Sequence, residues 1–336
     1  MNEAYITNSF LLNLFEEVQP EKTLLNCDIS ELGQVRADKR RMVREILKLD
    51  EIEERFGQEL SFEIDDHMES MGIMIDKYKV HAVRGLDFPV YHVKPDKPNG
   101  KTILYLHGHD DLGIVGALLD RTDKVRYHRI IPVKLALEGY DVIAPEVFGL
   151  GEAGFYGFPK GEDRVSGCLI NARYLSMADF SLAGMRAYEA VKTIDMIEKM
   201  GLNMDITAFG ISGGGMGVQQ LSAVDDRVQR LIVACYANTY QDSILAKEHC
   251  SCNFTPGMLK VGDSYHMLAL SAPKPMLTVN GLWDRGFPEA GSRKAFEYLE
   301  QVYARFGAAD EYQWQLIEGK HEIHEDVIID WLAQHA

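Results

Sequence analysis

The chain lacks most features that would place it outside the soluble enzymes. No apolar run in its 336 residues approaches the roughly 20 needed to cross a bilayer. The opening stretch MNEAYITNSFLLNLFEEV has no basic region, and Glu16 and Glu17 interrupt its apolar residues early. No signal peptide is expected, and the reading is cytoplasmic. Cysteine is scarce. The five residues Cys27, Cys168, Cys235, Cys250 and Cys252 are an odd number, which argues for reduced thiols rather than a disulfide framework. His249-Cys250-x-Cys252 resembles a metal fragment but lacks a second ligand pair at zinc spacing, so no metal is expected. Positive charge is also short. Thirty-five Lys and Arg face 51 Asp and Glu, a formal net charge of −16, which excludes nucleic-acid backbones and anionic membranes as partners. Internal repeats and low-complexity segments are absent.

The hydrophobic residues, 46% of the chain, suffice for one large core or a core with a small addition. Residues 1–57 read as helical. Leu11, Leu12, Leu14, Phe15 and Val18 recur at helical spacing, and DKRRMVREILKLDEIEERFG continues the pattern to Gly57. This arm is expected either to cover the core or to pair subunits as a homodimer. Residues 58–336 form the second unit. LSFEIDD, GIMIDKYKVHAV and FPVYHVKP read as antiparallel strands. From TILYLHG onward strands alternate with helices, including one long helix over SMADFSLAGMRAYEAVKTIDMIEKMG. That alternation predicts an α/β fold: a mostly parallel central sheet with helices on both faces and an N-terminal helical extension. Insertions near 149–172 and 240–268 are expected to line a site.

Open α/β sheets bind ligands beyond the carboxyl ends of their strands. After the strand DITAF comes Gly210-Ile211-Ser212-Gly213-Gly214, a G-x-S-x-G turn before a helix. Such a turn needs glycines where side chains would collide, and it projects the serine oxygen from the sheet edge. After KPMLTVN comes Asp284, and after YQWQLIEG comes His321, with His324 as a second candidate base. The order Ser212, Asp284, His321 fits a nucleophile, an orienting acid and a general base.

The stretch His107-Gly108-His109-Asp110-Asp111-Leu112 admits two readings. It fits most of a His-x-His-x-Asp-His dizinc pattern, but Leu112 stands where the last histidine belongs. In the other reading the loop contributes a backbone N–H, from His109 or Asp110, to an oxyanion hole shared with Gly213, and His107 fixes the loop. The second reading is favoured, because the first leaves Ser212, Asp284 and His321 without a role.

LYLHGH, ALEGYDVIAPEVFGLGE, DFSLAGMRAYEAVKTIDMI, GISGGG, CNFTPGMLKVGDSYHMLALSAPKPMLTVNGLWDRGFP and EGKHE together span about residues 80–336. In them the chain resembles the acetyl xylan esterase and dienelactone hydrolase-like branch of the α/β-hydrolases. The resemblance implies a serine carboxylesterase for short, acetyl-like esters. Ser212 would be the nucleophile, Asp284 the acid, His321 the base, and His109 and Gly213 the oxyanion donors, with neither cofactor nor metal. Serine in place of the cysteine of dienelactone hydrolases proper favours ester hydrolysis. The expected partner is a small-molecule ester. Phe148, Tyr156, Met258 and Trp283 are the pocket candidates. A peptidase or amidase of the same fold, a non-catalytic binding protein and a zinc hydrolase are the competing readings.

Overall fold

The computed structural model describes residues 7–110, 112–119, 127–154 and 167–335. Its strands are β1 (Gly57–Ser70), β2 (Ile73–Val83), β3 (Leu86–Val93), β4 (Thr102–Leu106), β5 (Asp141–Pro145), β6 (Ile206–Ile211), β7 (Val228–Ala234), β8 (Met276–Gly281) and β9 (Tyr312–Ile317). Its α-helices are α1 (Thr7–Val18), α2 (Leu32–Ile46), α3 (Leu49–Phe56), α4 (Val115–Leu118), α5 (Ile131–Leu137), α6 (Gly167–Met177), α7 (Leu182–Lys199), α8 (Gly213–Val224), α9 (Ser264–Ala269), α10 (Glu289–Arg305) and α11 (Glu325–Gln334). No helix among the described residues is long and apolar enough to cross a membrane.

The strands form one nine-stranded sheet in the order β1-β2-β3-β5-β4-β6-β7-β8-β9. The first three pair antiparallel, β3 joins β5 antiparallel, and the remaining pairs are parallel. All five residues of β4 are buried, as a strand covered on both faces requires. Its side chains alternate between two cores. Leu104 and Leu106 join the one built with α2, α3, α7, α8 and α10, and Ile103 and Tyr105 the one built with α4, α5 and α11. Helices therefore cover both faces of the sheet, and the parallel strands end at a common edge.

The N-terminal arm is tied to the body. Val43, Leu47 and Ile52 are fully buried in the larger core. Arg36 Nε donates to the Leu270 carbonyl at 2.8 Å and an Arg40 amino group to the Ser222 carbonyl at 2.6 Å. α1 buries only Phe15 and turns Phe10, Leu11, Leu12 and Leu14 outward.

Two helices differ from their expected extents. DKRRMVREILKLDEIEERFG divides at Lys48, whose φ of 56° breaks the ladder between α2 and α3. The long helix expected from Ser176 is two helices. Asp179, at φ 63°, ends the first, and Ser181 caps the second by accepting the Gly184 N–H at 2.9 Å. Aspartate tolerates the left-handed region and serine makes a strong cap, and these local effects override the helical periodicity across the junction.

β1 is an edge strand. It carries Glu59, Glu63, Asp65, Asp66 and Glu69 and no lysine or arginine, and most of its residues are exposed.

Candidate active site

Each site residue follows the end of a parallel strand. Ser212 comes after β6, Asp284 three residues beyond β8, and His321 four beyond β9. The register explains the convergence: Ile211 lies beside Ala234 and Gly281 beside Ile317.

Ser212 sits at φ 57°, ψ −121° between β6 and α8. An L-residue there costs on the order of 1–3 kcal/mol, so the surroundings must impose it. They do so by crowding. A Cβ on Gly210 would lie 2.2 Å from the Gly214 carbonyl oxygen, and one on Gly214 would lie 1.8 Å from the Leu106 carbonyl oxygen. The Ser212 N–H is held by the Ala234 carbonyl at 2.9 Å. Gly213 opens α8, so its N–H is among those a helix start leaves without an intrahelical partner.

Asp284 is buried, at 4% exposure. Its Oδ1 accepts the N–H groups of Gly286 at 2.8 Å and Phe287 at 3.2 Å. Its Oδ2 lies 2.6 Å from His321 Nδ1. One oxygen thus fixes the carboxylate and the other faces the imidazole. The Phe287 ring stacks on His321 with centroids 5.7 Å apart, and Tyr127 lies against it at 5.6 Å. A cavity of about 570 Å³ is lined by Ser212, His249, Trp283, Asp284, Arg285, Gly286, Phe287, Lys320 and His321. Cys235 lies beside Asp284 and His321, but burial pushes its thiol up to about 12, so it stays protonated and is a poor rival nucleophile.

The loop after β4 passes close over the serine turn, since a Cβ on Gly108 would meet the Ser212 Cβ at 3.0 Å. His107 is fully buried. Its Nδ1 faces the Gly108 carbonyl at 2.8 Å, and its Nε2 accepts the Val147 N–H at 3.0 Å and lies 2.9 Å from Glu146 Oε1. His109 points elsewhere, with Nε2 3.4 Å from Cys252 Sγ, and its carbonyl accepts the Tyr127 hydroxyl at 2.6 Å. His107 and His109 therefore diverge, which is not the arrangement of a dizinc centre. Asp111 lies outside the described residues. His324 caps α11 and, among the described residues, is not part of the cavity wall.

The pocket candidates scatter. Trp283 lines the cavity and is 59% exposed, so it stands at the mouth. Phe148 is not in the wall. Its backbone is held by α7, its N–H donating to Glu189 Oε2 at 2.8 Å and its carbonyl accepting Arg186 Nε at 2.9 Å. Met258 lines a separate cavity of about 450 Å³ between α1 and the 240–260 segment, together with Leu14, Tyr240 and Phe254. Tyr156 lies outside the described residues. His249 and Phe287 line the cavity without having been singled out for it. Burial holds the His249 imidazole below the ordinary histidine range. Phe287 follows Asp284 by three residues in the turn that binds the carboxylate, and that spacing was the available signal.

The fold of this sheet and its helices recurs in solved structures. A Bacteroides fragilis NCTC 9343 protein described as a putative acetyl xylan esterase superposes with a TM-score of 0.78, at 14% identity, over 99% of this chain and 95% of its own. The chain has the α/β-hydrolase fold. A glucuronoyl esterase from Teredinibacter turnerae T7901 is similar at a TM-score of 0.59 and 15% identity, covering 96% of this chain and 90% of that one. In sequence, the Bacillus subtilis (strain 168) protein named "Putative hydrolase YtaP" is 25% identical over 286 residues, 82% of this chain and 86% of the relative. No protein-family model matches.

Proposed function

We propose that this chain is a serine carboxylesterase that cleaves short-chain, acetyl-like esters. The observation that carries the reading is the 2.6 Å contact between Asp284 Oδ2 and His321 Nδ1, in the same cavity as a serine held at φ 57°. The esterase descriptions of proteins sharing the fold support it.

Ser212 Oγ attacks the ester carbonyl carbon and its proton passes to His321 Nε2. Asp284 holds the Nδ1–H and stabilises the imidazolium. The N–H of Gly213 and a backbone N–H of the His109 loop hold the oxyanion, and losing one such donor costs about 10²–10³ in turnover. His321 returns the proton to the departing alkoxide. Water, deprotonated by His321, then attacks the acyl-enzyme carbonyl and releases the acid and the serine. Arg285 and Lys320 flank the cavity, and Asp284 is the one acid among its described lining residues. In so acidic a chain, this local positive field favours esters carrying a negative group.

The test is hydrolysis of p-nitrophenyl esters from acetate to decanoate, with mass spectrometry of the fluorophosphonate-labelled protein. Wild type should prefer short chains and carry the label on Ser212, and Ser212→Ala should lose both activity and label. A Ser212→Ala variant that still turns over would refute the assignment.

A further inference from the structure

Four donor side chains from distant parts of the sequence meet beside the serine turn. His109 comes from the loop after β4, Cys168 from the first turn of α6, and Cys250 and Cys252 from the short turn around Ser251–Asn253. Their ligand atoms, one ring nitrogen and three sulfurs, all lie within 4.8 Å of one another. Tetrahedral zinc, with Zn–S of about 2.3 Å and Zn–N of about 2.0 Å, spaces its ligand atoms roughly 3.5–3.8 Å apart. The 3.4 Å from His109 Nε2 to Cys252 Sγ is already close to that spacing. Cys168 and Cys252 are 2% and 1% exposed and His109 and Cys250 are half-buried, so the cluster is largely withdrawn from solvent.

A second observation concerns charge. Arg186 is 5% exposed and places an amino group 3.0 Å from Cys168 Sγ. Among the described residues no carboxylate lies within ion-pair distance of it. Beside three neutral thiols the guanidinium has, among the described residues, only the more distant Glu189 carboxyl, itself pushed up by burial, as a counter-charge. Zn²⁺ with three thiolates and a neutral imidazole carries one negative charge, and Arg186 then brings the buried group to zero.

We propose that this chain binds one zinc ion through His109 Nε2 and the sulfurs of Cys168, Cys250 and Cys252. On binding, the three thiols release their protons to solvent and the imidazole binds in its neutral form. The ion is a structural tie. It fastens the loop after β4 to α6 and to the 250–252 turn, so both inserted segments are anchored to the loop that crosses the serine turn. His109 is thereby a positioning residue, its ring also packed where a Cβ on Gly213 would meet it at 2.9 Å. This departs from the metal-free expectation drawn from the sequence. Cys250-x-Cys252 supplies only half a site, and the chain supplies the other half 82 residues earlier at Cys168 and 141 earlier at His109, counted back from Cys250. Zinc binding itself does not depend on the esterase reading.

The test is metal analysis by mass spectrometry of the full-length chain, purified without a histidine tag from zinc-supplemented medium. About one zinc per chain is expected. Cys27→Ser, remote from the cluster, should keep it, while Cys168→Ser and Cys252→Ser should fall below about a tenth of it. Because the cysteine variants could fail to fold, wild type is also exchanged with Co(II). Thiolate-to-cobalt charge transfer and the intense visible bands of a tetrahedral site should appear. Wild type holding no zinc and giving no cobalt–thiolate band would overturn the proposal. So would a count of free thiols, in denaturant without reductant, two short of the five cysteines, which would mean a disulfide in place of the metal. Ser212→Ala should retain full zinc, so failure of the esterase reading and failure of the metal site give different results.

Discussion

Replacing Asp284 by asparagine isolates what the carboxylate does for His321. The substitution keeps the shape and one oxygen, so Oδ1 can still accept from Gly286 at 2.8 Å and Phe287 at 3.2 Å, and the turn should persist. What changes is the group 2.6 Å from His321 Nδ1. An amide N–H there cannot accept from Nδ1–H, so the ring takes the other tautomer and its Nε2 carries the proton it should receive from Ser212. In the Ser-His-Asp template this change lowers kcat about 10⁴-fold, or roughly 5.4 kcal/mol. For Asp284→Asn we expect a loss of about 10³–10⁴ in kcat with KM changed only a few-fold. The stability cost should be about 1–3 kcal/mol, the value of one charge-assisted hydrogen bond. The assay is steady-state hydrolysis of p-nitrophenyl acetate beside a thermal melt of the same preparation. His321→Ala and the double variant complete the cycle, and the double should lose hardly more than His321→Ala alone, because the pair acts as a unit. A folded Asp284→Asn enzyme within tenfold of wild type would refute the orienting role.

Four further outcomes follow from the packing. Asp263 caps α9 by accepting the N–H groups of Tyr240 and Ser264, and donates its own N–H to His266 Nδ1 at 2.8 Å. Burial pushes Asp263 up to about 6 and His266 down to about 4. The His266 contribution is present above about pH 6.5 and lost as pH falls toward 4, whereas that of Asp263 is present at low pH and lost as pH rises through 6. The two offset in wild type, so in urea melts Asp263→Asn should lose about 2 kcal/mol more than wild type between pH 6.5 and pH 4, and parallel profiles would contradict this. Gly214→Ala, whose Cβ would lie 1.8 Å from a backbone oxygen, should cost at least about 3 kcal/mol or abolish folding. Gly33→Ala in α2, where the Cβ meets nothing within 4 Å, should stabilise by up to about 1 kcal/mol in the same melts. Leu47→Ala should cost about 2–5 kcal/mol if the N-terminal arm is part of the folded core, and under 1 kcal/mol if it is a detachable appendage.

The sheet was legible because burial writes directly into sequence: β4 is a bare apolar run, and the antiparallel β1–β3 show alternation. Ser212 was legible because its backbone angles demand glycines at fixed offsets. Asp284 and His321 followed from their places after strand ends. What periodicity could not reveal was a left-handed residue inside a helical pattern, as at Lys48 and Asp179. Nor could it reveal which aromatic residues face the cavity, because Met258 and Trp283 look alike as apolar residues in loops. The cluster at Cys168 was illegible for a related reason. Spacing rules detect ligand pairs on one turn, and here the other two donors come from the loop after β4 and from the first turn of α6.

The acidic edge strand β1 bears on how copies of this chain meet. A sheet edge is a template for another strand, and two such edges brought together would join two copies through one continuous sheet. Here the approaching strands would set Glu59, Glu63, Asp65, Asp66 and Glu69 against their own duplicates. Like charges directly opposite one another across a ladder repel, so stacking of this kind is blocked at its first step. Adding salt would weaken that guard while leaving the fold intact, making ionic strength the condition that governs clumping of the native protein.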